Sequence, residues 1–244
     1  MRESTPALDA VFKPVLQHPR SVEETVKRLG MAIRVGLLAP GTRLPPQRDL
    51  AVQLGVTRST VQQALATLSE NRHLESHRGG GGGTFVADAP PLSLVAGTTP
   101  VGDEARAMLD ERLAIEMGAT VLAAERATPA DLDRLEKAVE TMVAAATFAD
   151  YRRADVRFHL GVAEAAHSPR LIVAMTEVQG DLTDLLAPIA NRNGKRLAAS
   201  NAQHRSLVAL LRCGDSARAA LLTRSHLARA ERLIAGRVSN LARL

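Results

Sequence analysis

The chain has 244 residues, a formal net charge of +5, 45% hydrophobic residues and only 2% aromatic ones. So few rings argue against a protein that stacks single-stranded bases on aromatic platforms, while the basic balance suits a partner rich in phosphate. The one cysteine, Cys213, excludes an internal disulfide framework and fits a reducing compartment.

The first 20 residues carry three prolines (Pro6, Pro14, Pro19) and read as a loose arm. They lack an apolar run long enough for a signal peptide, and no window of the chain approaches a membrane span. A cytoplasmic protein without a membrane partner is the expectation. Ser21 is a good N-cap, with Glu24 three residues on in a capping-box pattern. The helix it starts is predicted to run to about Leu37, with Val22, Val26, Leu29, Ile33 and Leu37 on one stripe, before Ala39-Pro40-Gly41.

Two short periodic runs follow. Gln47 to Gly55 ends at a glycine able to close a helix, and Ser59 to Leu68 puts Val61, Leu65 and Leu68 on one face. Only Val56-Thr57-Arg58 lies between them, so the two helices must cross steeply, as in a helix-turn-helix. That geometry points the start of the second helix into the major groove of DNA. Thr57, Arg58, Ser59 and Thr60 stand there, with hydroxyl and guanidinium groups for phosphates and base edges. Two extended runs, His73 to His77 and Thr84 to Val86, flank a glycine tract and read as the hairpin wing of a winged helix. Its basic start, His77-Arg78, is expected beside the backbone or minor groove. Five consecutive glycines, Gly79 to Gly83, loosen its tip.

The run PGTRLPPQRDLAVQLGVTRSTVQQAL and the wing ending GGTFV resemble the GntR family of bacterial transcription regulators. The resemblance implies DNA contacts at Arg48, Thr57, Arg58 and the wing glycine Gly79. Where the family usually has an arginine inside the recognition helix, this chain has Gln62. Glutamine pairs bidentately with adenine and arginine with guanine, so the operator is expected to differ from the commonest one.

The DNA-binding domain is expected over residues 21–87, and residues 88–100, with three prolines and a glycine, read as a linker. A short ordered piece is expected around Leu92 to Val95. Residues 101–244 look all-helical. Six helices are predicted, at about 102–126, 129–146, 148–167, 169–187, 195–213 and 215–238. The fold class is therefore mainly α: an N-terminal winged helix-turn-helix with a small β wing, then an antiparallel helical bundle.

Polar residues interrupt the bundle's apolar stripes. Asp155 and His159 are four apart and share a face with Val162, Ala163 and Ala166. His204 lies in line with Leu197, Asn201, Leu207, Val208 and Leu211, and His226 with Leu222, Ala230 and Leu233. Burying a carboxylate and three imidazoles unpaired is costly, and one divalent metal satisfies all four. The N/O set suits Zn²⁺ first, with Ni²⁺, Co²⁺ or Mn²⁺ also compatible. His18, His73, His77 and His167 read as ordinary core or surface histidines. Arg112 falls within the stripe Ala105, Met108, Leu109, Ile115, Ala119 and Leu122. It either pairs with Glu116 one turn on or grips an anionic effector beside the metal.

These residues, Arg112 and Glu116 in ERLAIE, Asp155 and His159 in DVRFH, His204 in QHRSLVALLRCGD and His226 in RSHLARA, resemble the FCD ligand-binding domain of the FadR branch of GntR regulators. The resemblance implies a metal on the Asp and three His, a small organic acid completing its coordination, and a homodimer. Gln203 stands where the family often has Glu, which bears on how His204 is oriented. The expected function is a DNA-binding regulator, a repressor, of a pseudo-palindromic double-stranded operator, released by a small carboxylate effector. Two rivals stand beside it. One is a metal-dependent hydrolase in the bundle, with Glu164 or Glu177 as base. The other is a regulator whose metal is structural or is itself the signal.

Overall fold

A computed structural model describes residues 21–77, 79, 82–91, 103–186 and 194–241. The N-terminal arm, Arg78 of the wing and the piece expected at Leu92 to Val95 lie outside the described residues. The chain divides into two compact units, the first ending at Ala96 and the second beginning at Gly97.

The first unit holds α1 (Val22–Arg34), α2 (Gln47–Leu54), α3 (Arg58–Glu70), β1 (Leu74–His77) and β2 (Gly83–Val86). Ser21 caps α1, its Oγ accepting from the Glu24 N–H at 3.2 Å. The helix stops at Arg34, three residues short of the expected Leu37. The reason is local. Gly36 takes φ +74°, and the Leu38 N–H folds back onto the Ala32 carbonyl at 3.0 Å. Leu37 and Leu38 stay buried without being helical, which is why the apolar period ran past the true end.

Gly55 closes α2 in the left-handed conformation at φ 68°, making room for the tight turn. Thr57 then caps α3, its Oγ1 accepting from the Thr60 N–H at 3.2 Å. Leu50 and Leu54 of α2 and Val61, Leu65 and Leu68 of α3 meet Leu29 and Ile33 in the unit's core. The strands pair antiparallel, Leu74 opposite Val86 and His77 opposite Gly83. Arg43 adds a bridge to Phe85, and its Nη2 donates to the Gly82 carbonyl at 2.6 Å. This tie between the loop before α2 and the wing carried no signal in the sequence.

The second unit is built from α4 (Asp103–Arg126), α5 (Pro129–Ala144), α6 (Phe148–Ala165), α7 (Pro169–Leu186), α8 (Gly194–Arg212) and α9 (Ser216–Leu241). Each lies where a helix was predicted, within a few residues. Among the described residues no strand interrupts them. Thr128 and Asp131 form a reciprocal capping box ahead of α5, with Pro129 at the first turn. Thr147 caps α6. Gly161 lets α5 and α6 approach closely: a Cβ there would come within 2.8 Å of Leu135 Cδ2. The helix α4 is central, packing against α6, α7, α8 and α9. Residues on the inner faces of all five therefore share one interior.

Candidate metal centre and nucleic-acid face

Three imidazoles meet in that interior. His159 of α6, His204 of α8 and His226 of α9 each offer a ring nitrogen, and the three lie within 4.8 Å of one another. Asp155, one turn before His159, brings its Oδ1 to 3.7 Å from His204 Nε2 and 3.9 Å from His159 Nε2. Its Oδ2 accepts from Arg152 Nη1 at 2.5 Å. Thus the three histidines expected to hold a metal come together, and Asp155 lies beside two of them, His159 and His204. Arg152 joins them without having been foreseen, because it lies three residues from Asp155 in a run of charges that reads as solvated.

The partners of each ring decide its free nitrogen. His159 Nδ1 lies 2.6 Å from Glu116 Oε2, so it carries the proton and leaves Nε2 bare. That Nε2 is buried and has no hydrogen-bond partner among the described residues, and neither nitrogen of His204 has one there. His226 Nδ1 lies 3.2 Å from Gln203 Oε1. Gln203 therefore supports His226, not His204 as its sequence position suggested: its side chain leans toward the facing helix α9. Burial drives the His204 pKa down to about 4 and that of His226 to about 3, so both rings stay neutral and able to ligate. Burial alone pushes the Asp155 carboxyl up, but Arg152 and the three imidazoles bring it down to about 2. A deprotonated carboxylate, the neutral rings of His204 and His226, and the bare Nε2 of His159 fit a divalent cation.

Arg112 and Glu116 pair inside the bundle, as one of the two expectations had it. Arg112 Nε donates to Glu116 Oε1 at 2.6 Å, and both side chains are almost wholly buried. Burial by itself raises the Glu116 carboxyl, yet Arg112 and His159 hold it well below the usual carboxylate range. Gln179 of α7 donates to the same Oε1 at 2.9 Å. Glu116 is thus an orienting group for His159 as well as a counter-ion for Arg112. Arg112 Nη1 stays buried with no partner among the described residues. Beside the histidines lies a cavity of about 10 Å³, lined among others by Glu116, Thr120, Met175 and Leu207, with room for one water-sized occupant.

The other polar groups weighed in the sequence lie elsewhere. Glu164 is bound bidentately by Arg157 at 3.0 and 3.1 Å, and Glu177 is exposed. His167 bonds Asp131 at 2.9 Å, His77 is exposed near Glu75, and His73 is fully buried in the first unit.

In the first unit, Arg48, Thr57, Arg58, Ser59 and Gln62 are exposed and Thr60 is half-exposed around the start of α3. Free N–H groups and the positive end of the helix dipole point outward there. Thr57 Oγ1 also lies 2.8 Å from the hydroxyls of both Ser59 and Thr60. Arg48 makes only an exposed contact with Asp49, too weak to withhold it from a phosphate. Gly79 sits at the wing tip with φ 109°.

The pattern of the FCD domain matches residues 107–229, and that of the bacterial regulatory proteins of the gntR family matches residues 21–86. The chain belongs to the GntR family. Within it, this regulator is 34% identical to the HTH-type transcriptional regulator named RmpR of Mycobacterium gastri, over 94% of its own chain and 85% of the relative. It is 31% identical to a protein of Escherichia coli (strain K12) named for regulation of the L-lactate dehydrogenase operon, over 85% and 84%. The solved structure of E. coli McbR/YncC shares its fold, with 20% identity, a TM-score of 0.56, and coverage of 89% of this chain and 99% of that one. The regulator is a transcription factor, not an enzyme: its winged unit binds DNA and its FCD domain is of the type that takes small-molecule effectors.

Proposed function

We propose that this regulator is a homodimeric repressor of the FadR branch, acting in the cytoplasm, whose operator affinity is set by a small carboxylate bound at a divalent metal in the helical domain. Arg48, Thr57, Arg58, Ser59, Thr60 and Gln62, with Arg78 and Gly79 of the wing, form the DNA-reading face, and a dimer carries two such faces to a pseudo-palindrome. Asp155, His159, His204 and His226 hold the metal, Zn²⁺ before Ni²⁺, Co²⁺ or Mn²⁺. The carrying observation is the set of bare, buried nitrogens of His159 and His204 beside one carboxylate, which nothing among the described residues satisfies. A bound cation supplies Lewis acidity and an open position for an oxygen ligand. The protein's own part is to keep the His204 and His226 rings neutral by burial, to orient His159 through Glu116, and to offer Arg112 as counter-charge to the effector. A relative named for an L-lactate operon fits a small organic acid as the effector class. The domain limits we assign are 21–87 for DNA binding and 101–244 for the effector domain.

The test is binding of the purified protein to DNA from upstream of its own coding region, titrated with small carboxylates before and after chelation. One acid releasing DNA only from the metal-loaded protein is the expected result. If no acid changes operator affinity, the effector reading fails. The water-sized cavity favours a second reading, in which the metal is structural or is itself the signal. Chelation alone then alters DNA binding or unfolds the bundle.

A further inference from the structure

A cavity of about 300 Å³ opens where the end of α5, the start of α6 and the first part of α8 meet. None of the residues lining it lines the small cavity beside the histidines. Its wall is aromatic in a chain that has few rings. The sequence holds four Phe and one Tyr, yet Phe148 and Tyr151 both stand here, stacked with centroids 6.3 Å apart and planes 12° from parallel. The Tyr151 hydroxyl is already bonded to Ser200, so its ring is what remains to offer. Val143, 52% exposed, and Leu197 continue the apolar surface. One polar group in the lining is unsatisfied. Asn201 is only 7% exposed, and its Oδ1 is buried with no hydrogen-bond partner among the described residues. A buried amide oxygen of this kind calls for a donor. Arg205 also lines the cavity but is exposed, so water screens its charge and it makes no strong demand for an anion. Its flat guanidinium suits the face of a ring.

We propose that this cavity is a second ligand site, separate from the metal centre, for a neutral two-ring aromatic molecule that carries one N–H or O–H donor. The size follows from the volume, about twice the roughly 150 Å³ that holds a single benzene ring in a buried apolar cavity. The rings of Phe148 and Tyr151 take the flat apolar body by stacked or edge-to-face contact. The donor goes to Asn201 Oδ1. A molecule of the same shape without the donor leaves that oxygen unpaired and binds less tightly for that reason. This inference goes beyond the metal-centred reading and does not depend on it.

The experiment compares indole with benzofuran, which share a shape and differ in one ring position, N–H in the first and oxygen in the second. Binding of each to the full-length protein is measured by calorimetry. Tyr151 is the only tyrosine of the chain, so protein labelled with 3-fluorotyrosine gives a single ¹⁹F signal from the cavity wall. The wild type is expected to prefer indole by about tenfold, the scale of one hydrogen bond, and the ¹⁹F signal to shift as indole saturates the protein. In Asn201→Leu, which keeps the side-chain size, the preference falls to near unity while benzofuran binds as in the wild type. That unchanged benzofuran affinity reports an intact cavity, which a merely structural role of Asn201 would not preserve. In Phe148→Ala both probes bind more weakly. A preference that survives in Asn201→Leu overturns the proposal, because the donor is then read elsewhere. Equal binding of both probes to the wild type also overturns it, and assigns the amide oxygen to a water. Binding that leaves the ¹⁹F signal unmoved, or no binding of either probe, overturns it as well.

Discussion

At the scale of single residues, the centre is organised by Glu116 more than by any ligand. One carboxylate neutralises Arg112, fixes His159 and orients Gln179. Its removal is expected to act twice. In Glu116→Gln, His159 loses the ionic partner that sets its tautomer, and metal affinity is expected to fall by roughly 10–100-fold. Arg112 also becomes a buried charge without a counter-ion, at a cost of about 3–5 kcal/mol. Competition with a chromophoric chelator reads the first effect and urea unfolding the second. An unchanged metal affinity would show that Glu116 does not govern His159. Arg152 plays a similar part for Asp155, but whereas Arg112 was legible because it interrupts an apolar stripe, Arg152 stands in a run of charges and was not. An arginine near acidic residues looks alike whether it is solvated or enclosed, and only packing tells.

At the scale of elements, the recognition helix depends on its first residue. Thr57 is expected to touch DNA, and in the structure its hydroxyl also satisfies the Thr60 N–H and meets the hydroxyls of Ser59 and Thr60. Thr57→Ala is therefore expected to cost about 1 kcal/mol of stability through the lost cap. It is also expected to weaken operator binding by more than that loss explains, since Ser59 and Thr60 lose their common anchor. Denaturant unfolding and DNA titration of the same variant separate the two. Equal stability in variant and wild type would remove the capping role. The helix period was legible here because Leu50, Leu54, Val61 and Leu68 face one small core. It misled at the end of α1, where Leu37 is buried from outside the helix. Periodicity reports burial, not hydrogen bonding.

At the scale of the whole molecule, the effector domain's polar interior makes its stability conditional on what occupies it. Each buried polar atom without a partner costs about 1–3 kcal/mol, and several cluster here. A cation that binds only the folded bundle is expected to stabilise it by about 2.7 kcal/mol at 100 times its dissociation constant. Thermal unfolding followed against Zn²⁺ concentration should show a transition that climbs with the metal. The climb should vanish in His204→Ala. A transition that ignores the metal in the wild type would sink the metal centre.

The sequence by itself determined the two-part layout, the winged helix-turn-helix, the six bundle helices and the Asp and three His that meet. These follow from local causes: period, caps, glycine turns and the face on which a polar residue falls. Tertiary structure alone decided which side chain serves which. It set Gln203 on His226, Gln179 and His159 on Glu116, Arg152 on Asp155 and Arg43 on the wing. Those pairings join residues whose closeness depends on how helices are rotated and spaced, or on which of several possible partners a long charged side chain meets. No periodicity encodes either, because each is settled by packing the whole core at once.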